Sequence, residues 1–358
     1  MYAGKYPVAR NIQASFKAVF RRQLSSQNVN LTNYSIEKLE GRGLLRVHGK
    51  EASTFLQGLV TNDMRHLEEG ARSMYTMFLN IRGRVICDTV IYKDDNDTFL
   101  IEADKEVETT LQKHLKMYRV RKKIDIDTIG DLSVWVIFLK SLIENCDNKY
   151  SQEKQSINDS DMEHDFILKT FQQSKIVSRD PRLAELGYRL IVSSEDELLK
   201  DPKLSQDNQQ PSRLYRQLRY KLGVGEGAAD MPPGKCIPLE ANCDFLHGVS
   251  FHKGCYIGQE LTARVHHTGV VRKRLMPIVL NSEPPEDFMP GASVENALDN
   301  KALGKLHGLE NKNGLALLKV SEALSAPALR LLNVSGFTKK PSWWPQEAPK
   351  ERMIDKDM

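Results

Sequence analysis

No acidic residue precedes Glu37 in this 358-residue chain, while Lys5, Arg10, Lys17, Arg21 and Arg22 all fall within the first 24 positions. Apolar runs are short as well. The longest, Leu132 to Leu139, has a strand's length and is far below the ~18 residues a membrane-spanning helix needs, so nothing here reads as a membrane anchor. Cysteine is scarce: Cys87, Cys146, Cys236, Cys243 and Cys255 are odd in number and widely scattered. That excludes a disulfide framework and suits a reducing compartment with free thiols. The formal net charge of +4 is mostly the leader, since removing its five basic residues leaves about −1. A near-neutral body argues against a general nucleic-acid binder.

What the leader does have is an apolar stripe, Val8, Ile12, Phe16 and Val19 or Phe20, at helical three- and four-residue spacing. A basic, acid-free amphipathic segment with Ser and Gln is the composition of a mitochondrial transit peptide. Residues 1–24 are assigned to it, with cleavage after Leu24 in Arg22-Gln23-Leu24-Ser25-Ser26 and the mitochondrial matrix as the destination. The remaining chain, 40% apolar overall, is long enough for two or three domains without disulfide staples.

Gly43 to Val47 reads as a strand and Glu51 to Val60 as a helix, broken by Thr61-Asn62-Asp63. Strands follow at Ser73 to Leu79, Arg84 to Tyr92 and Thr98 to Ala103, with a turn at Arg82-Gly83, then a helix over Glu106 to Tyr118 and a buried strand over Ser133 to Leu139. Consecutive strands with tight turns imply antiparallel pairing, and the mixture without βαβ alternation is α+β. Residues 144–165 turn polar and read as a surface insertion. A helix through Leu214, Leu218 and Leu222 stops at Gly223. The following Gly223-Val-Gly225-Glu-Gly227-Ala228 spells a dinucleotide fingerprint but follows a helix and runs into Pro232-Pro233, so it is read as a turn. Short β-rich segments such as Met276 to Leu280 and Gly314 to Val320, with the turn at Pro290-Gly291, predict a small barrel over 271–335. Trp343-Trp344-Pro345 in the tail, 336–358, reads as a clamp strand.

Between the last two regions lies Val249-Ser-Phe251-His252-Lys253-Gly254-Cys255-Tyr256-Ile-Gly258-Gln259-Glu260. Flanking glycines let the backbone turn and a partner approach the sulfur, while Lys253, helped by His252, would favour the thiolate, the nucleophilic and metal-binding form. A buried inert cysteine is the alternative. Iron-sulfur clusters take about four protein ligands, and Cys236, Cys243 and Cys255 have six and eleven residues between them, unlike the close runs of ferredoxins. One chain is thus a poor holder of a whole cluster. A zinc site from Cys255 with His247, His252, His266 or His267 lacks paired ligand spacing.

The run Lys253-Gly254-Cys255-Tyr256-Ile-Gly258-Gln259-Glu260 resembles the signature of the YgfZ/GcvT-like folate-binding family. Phe55-Leu-Gln57-Gly58 with Thr61-Asn62-Asp63, Asp180-Pro-Arg182-Leu with Leu186-Gly187, and Pro238-Leu-Glu240-Ala-Asn242 resemble its other landmarks, in its order, over about 40 to 335. The resemblance implies an aminomethyltransferase fold: folate-binding α+β subdomains around a central hole over 36–270, then a C-terminal β-barrel. It further implies a late-acting iron-sulfur assembly factor, with no catalytic activity of its own, that serves 4Fe-4S enzymes such as aconitase and lipoate synthase. Cys255 would share a transient cluster with an A-type carrier protein.

The rival reading is a tetrahydrofolate-dependent aminomethyl transferase. Those enzymes carry paired aspartates where this chain has Cys87-Asp88, and their pterin-gripping acid aligns with Gly223, three residues before Glu226. The missing carboxylate removes the group that would handle charge on the folate amine. Folate binding alone would use Arg219 on the carboxylates and Glu226 on the pterin, the alternative being that the helix arginines are a solvated face. A thiol redox enzyme built on Cys255 lacks an adjacent resolving cysteine.

Overall fold

The computed structural model describes residues 31–144, 157–193, 213–284 and 288–345. The leader, Cys146 and the tail past Pro345 lie outside the described residues. Among the described residues nine strands precede the cysteine motif: β1 (Tyr34–Lys38), β2 (Arg42–His48), β3 (Ser73–Leu79), β4 (Val85–Lys93), β5 (Thr98–Asp104), β6 (Asp125–Ile129), β7 (Leu132–Leu139), β8 (Ile176–Arg179) and β9 (Tyr188–Ser193). Five form an antiparallel sheet in the order β3-β4-β5-β2-β6. Against it lies the helix Lys105–Arg119, whose Val107, Leu111 and Leu115 pack with Leu45, Val47, Phe78, Phe99 and Ile101. That helix starts where Asp104 Oδ1 accepts the Glu106 N–H at 2.8 Å. Glu106 and Glu108 at its start and Lys116 and Arg119 at its end suit the helix dipole.

The second sheet, β1-β7-β9-β8, is also antiparallel. It carries a helix, Ile157–Thr170, that begins within the stretch expected to be a polar insertion and runs past its end at Asp165. Just beyond the polar stretch, Phe166, Ile167 and the following Phe171 are buried with Tyr188, Leu190 and Val192, which is enough to fix one helical face. β9 carries the fully buried Arg189 as its second residue, a residue that counts against a strand until its partners are known.

After the motif, β10 (Lys273–Leu280), β11 (Ser293–Asn296), β12 (Ala302–Glu310), β13 (Asn313–Lys319), β14 (Leu329–Leu331) and β15 (Val334–Thr338) close a barrel in the order β10-β13-β12-β11-β14-β15. Its interior is Met276, Ile278, Val294, Leu306, Leu318 and Leu331. Trp343 and Trp344 form a turn, not the expected strand. Trp344 is buried with its ring 5.7 Å from that of Phe245, and Trp343 Nε1 donates to the Leu222 carbonyl at 2.8 Å. The helix Leu214–Leu222 ends at Gly223, whose φ of +78° only glycine adopts readily. Its Tyr215, Leu218 and Tyr220 join Leu44, Tyr75, Phe138, Leu275 and Leu315, so one core unites both sheets with the barrel.

Candidate functional site

The cysteine loop is seated on the turn that ends the short helix Ala52–Gln57. Helix ends leave carbonyls without partners, and this end uses the loop to satisfy them. The Lys253 ammonium donates to the carbonyls of Gln57, Val60 and Asn62 at 2.7, 2.6 and 2.7 Å. Around this contact, Ile257 N–H reaches the Gly58 carbonyl (3.0 Å) and Ser250 N–H the Thr61 carbonyl (3.1 Å). Thr61 Oγ1 donates to the Gly248 carbonyl (2.6 Å) and Asn62 Nδ2 to that of His247 (2.7 Å). The Gln57-Gly58 and Thr61-Asn62 landmarks are therefore the seat of the motif. Burial lowers the Lys253 ammonium to about 8, with the Asp63 carboxylate opposing that shift.

This gives Lys253 a structural role that the motif alone did not show. An ammonium has three N–H donors, and all three go to main-chain oxygens, so none remains to hydrogen-bond a thiolate. Lys253 holds the loop. Its charge also lies 5.0 Å from the Tyr256 ring centroid. Gln259 Oε1 accepts the Tyr256 N–H at 3.1 Å, and Gly258, at φ +78°, turns the chain into the helix Gln259–Thr268 with Glu260 in its first turn. Gly254 meets no atom within 4 Å of where a Cβ would stand, so the approach beside Cys255 is open.

Cys255 is exposed, whereas Cys87, Cys236 and Cys243 are buried. Burial pushes the Cys236 thiol up to about 11, and those of Cys87 and Cys243 higher still. Among the described cysteines, Cys255 alone is accessible. Cys87 points into the core beside the helix Lys105–Arg119, while Asp88, next on the strand, faces the opposite way and accepts the Gly227 N–H at 2.9 Å. Of the candidate histidines, His266 stacks on Phe251 with centroids 3.6 Å apart. Among the described residues no three His, Cys, Asp or Glu side chains are grouped to hold a metal.

Arg219 and Glu226 occupy a different place, a buried ion network between the sheets and the helix Leu214–Leu222. Arg219 Nη1 donates to Asp230 Oδ2 at 2.6 Å and to the Val224 carbonyl at 3.1 Å, and its Nε lies 3.8 Å from Glu226 Oε1. Glu226 is also paired with Arg189 and, at 2.8 Å, with Arg182. Arg182 and Arg189 each reach Asp180 Oδ2 at 2.8 Å, and Arg189 also pairs with Glu102. Arg213 and Arg216 are solvent-exposed, so the helix arginines divide between a solvated face and this network. Sequence reasoning missed Glu102 and Arg189 as members because 87 residues separate them. Asp180 and Arg182 were visible only as landmarks, without the buried partners that explain them.

Two family models match the chain: the GCVT N-terminal domain over residues 32–135, and the CAF17 C-terminal beta-barrel domain over residues 272–346. A Homo sapiens protein named iron-sulfur cluster assembly factor IBA57, mitochondrial, is 38% identical over 86% of this chain and 85% of its own length. The Mus musculus protein of that name is 36% identical over 87% and 86%. The Dictyostelium discoideum homologue is 33% identical over 83% of this chain and 74% of its own. The crystal structure of glycine cleavage system aminomethyltransferase T from Bartonella henselae superposes with a TM-score of 0.60, covering 87% of this chain and 86% of that one at 13% identity. At that identity the likeness is one of fold.

Proposed function

The chain belongs to the family of the mitochondrial iron-sulfur cluster assembly factor IBA57, and on that premise we propose that it is a mitochondrial iron-sulfur assembly factor, not a transferase. It works late, in the matrix, in the maturation of 4Fe-4S enzymes of the aconitase and lipoate synthase type. Residues 1–24 serve as its import signal. Cys255 holds one corner of a transient cluster whose other ligands come from an A-type carrier protein.

The observation that carries this reading is the placement of Cys255: exposed, on a loop locked to the helix end by Lys253, while the other described thiols are buried. A single accessible thiolate supplies about a quarter of a cluster's protein ligands, so the partner supplies the rest. A transferase would need an aspartate at the place of Cys87, and that side chain lies in an apolar core. Tetrahydrofolate binding at Arg219 and Glu226 would have to break buried ion pairs first, which weighs against folate as an obligatory cofactor. In cells depleted of the protein, aconitase and lipoate synthase activities should fall and return with the wild-type chain but not with Cys255→Ser. Full rescue by that variant removes the thiol from the mechanism.

A further inference from the structure

Beside the cysteine loop the β3–β4 hairpin presents a feature the cluster site does not use. Asn80, Arg82 and Arg84 of its tip, together with Gly234, Lys235 and the motif helix's Leu261, line an open cavity of about 640 Å³. The lining charges are Arg82, Arg84 and Lys235, with no acid among the lining residues. Glu240, half buried nearby, lies in the field of Lys273 and Arg84. Arg84 is held in place by its 3.0 Å hydrogen bond to the Lys235 carbonyl. Arg82 and Lys235 are exposed, and so is Ile81, at 78%. An aliphatic side chain that far out at a hairpin tip, next in sequence to Arg82 and three residues before the cavity's Arg84, has the make-up of an interface anchor with a charged rim.

The tip is tied to the motif. A Cβ on Gly258 would stand 3.1 Å from Gly83 Cα, and one on Gly83 would stand 2.6 Å from Leu261 Cβ, so glycine at both places lets the hairpin and the motif turn touch. Gly258 is three residues after Cys255, at most about 10 Å along an extended chain. A standard protein interface covers about 800 Å² per partner, a disc of about 16 Å radius. A protein that places ligands at Cys255 therefore reaches the hairpin tip within an ordinary footprint. Its cluster supplies the matching sign, because an oxidised [2Fe-2S] core on four thiolates carries about two net negative charges.

We propose that the β3–β4 hairpin tip, with Ile81 as anchor and Arg82, Arg84 and Lys235 as a cationic rim, is the docking surface for an acidic face of the cluster-loaded carrier protein. This deepens the reading of Cys255 and rests on it. The rim guides the loaded, anionic carrier to the thiol, and Cys255 then exchanges for one of the carrier's thiolates on iron. One Fe–S bond forms as another breaks, with no net redox change. Charges at an interface rim act chiefly on the association rate and its salt dependence.

The test follows, by stopped-flow absorbance at low and physiological salt, the association of the full mature chain with an A-type carrier loaded with a [2Fe-2S] cluster. Arg82→Glu/Lys235→Glu should associate about tenfold more slowly at low salt, with a flatter salt dependence, while its melting curve and the final spectrum of the shared cluster match wild type. Arg82→Lys should keep the wild-type rate. Ile81→Ser should speed dissociation instead. Rates within about twofold of wild type for both Arg82→Glu/Lys235→Glu and Ile81→Ser overturn the docking surface alone, and failure of wild type to associate at all overturns it together with the shared-cluster reading.

Discussion

Lys253 Nζ donates a 2.6 Å hydrogen bond to the carbonyl of Val60, joining two segments 193 residues apart and fixing the loop that displays Cys255. Lys253→Met keeps the apolar stem but leaves three carbonyls without their donor. Losing hydrogen bonds to a charged group should cost about 2–4 kcal/mol, and amides 247–257 should exchange faster with deuterium. Urea denaturation and hydrogen exchange by mass spectrometry measure both. Unchanged exchange in that loop would refute the anchoring role.

The buried network sets a second expectation, for acid. Burial pushes the Asp180 carboxyl up, but Arg182 and Arg189 outweigh it and hold the group at about 2. An unfolded aspartate titrates near ~3.9, so between those values the unfolded chain binds more protons. This stabilisation is complete above pH ~4 and is lost as pH falls through about 2. Asp180→Asn should cost about 3–5 kcal/mol at neutral pH, because two buried arginines lose a counter-charge, and should flatten the dependence of the urea midpoint on acid. A variant with the wild-type acid profile would show that Asp180 carries no such linkage.

Burial separates the thiols by reactivity. With Cys236 pushed up to about 11 and Cys87 and Cys243 higher, brief alkylation of the folded chain at neutral pH should modify Cys255 and leave these three intact until urea is added. Peptide mass spectrometry reads this directly. Labelling of Cys243 at the rate of Cys255 would mean the motif loop opens in solution.

Much of the architecture was legible where periodicity and burial agree. Ser73–Leu79 and the helix Lys105–Arg119 stand within a residue or so of where alternation and helical spacing placed them, and Gly223 stops its helix as its φ requires. The elements that escaped are those whose reasons are non-local. β9 is short and carries Arg189, which only distant carboxylates make burial-compatible, and Ile157–Thr170 is helical because of what Phe166 and Ile167 meet. The site divides the same way. The chemistry of Cys255 can be read from its own segment, but Lys253 looked like a thiolate partner because its carbonyl acceptors lie nearly 200 residues upstream, and Arg219 looked like a ligand-binding cation because Asp230 and Glu226 were not yet facing it.

The central claim is that Cys255 contributes one ligand to a cluster shared with a carrier. Mature wild-type and Cys255→Ser chains should each be mixed with an A-type carrier, iron and sulfide, and separated by size exclusion with visible absorbance recorded. A hydroxyl is a poor ligand for iron in place of a thiolate, and at an exposed position the exchange should cost about 1 kcal/mol or less in stability. The predicted result is a visible-absorbing heterocomplex with wild type and none with the variant, which stays folded and soluble. A Cys255→Ser chain that carries the same cluster-bridged complex, or that unfolds, would contradict the account.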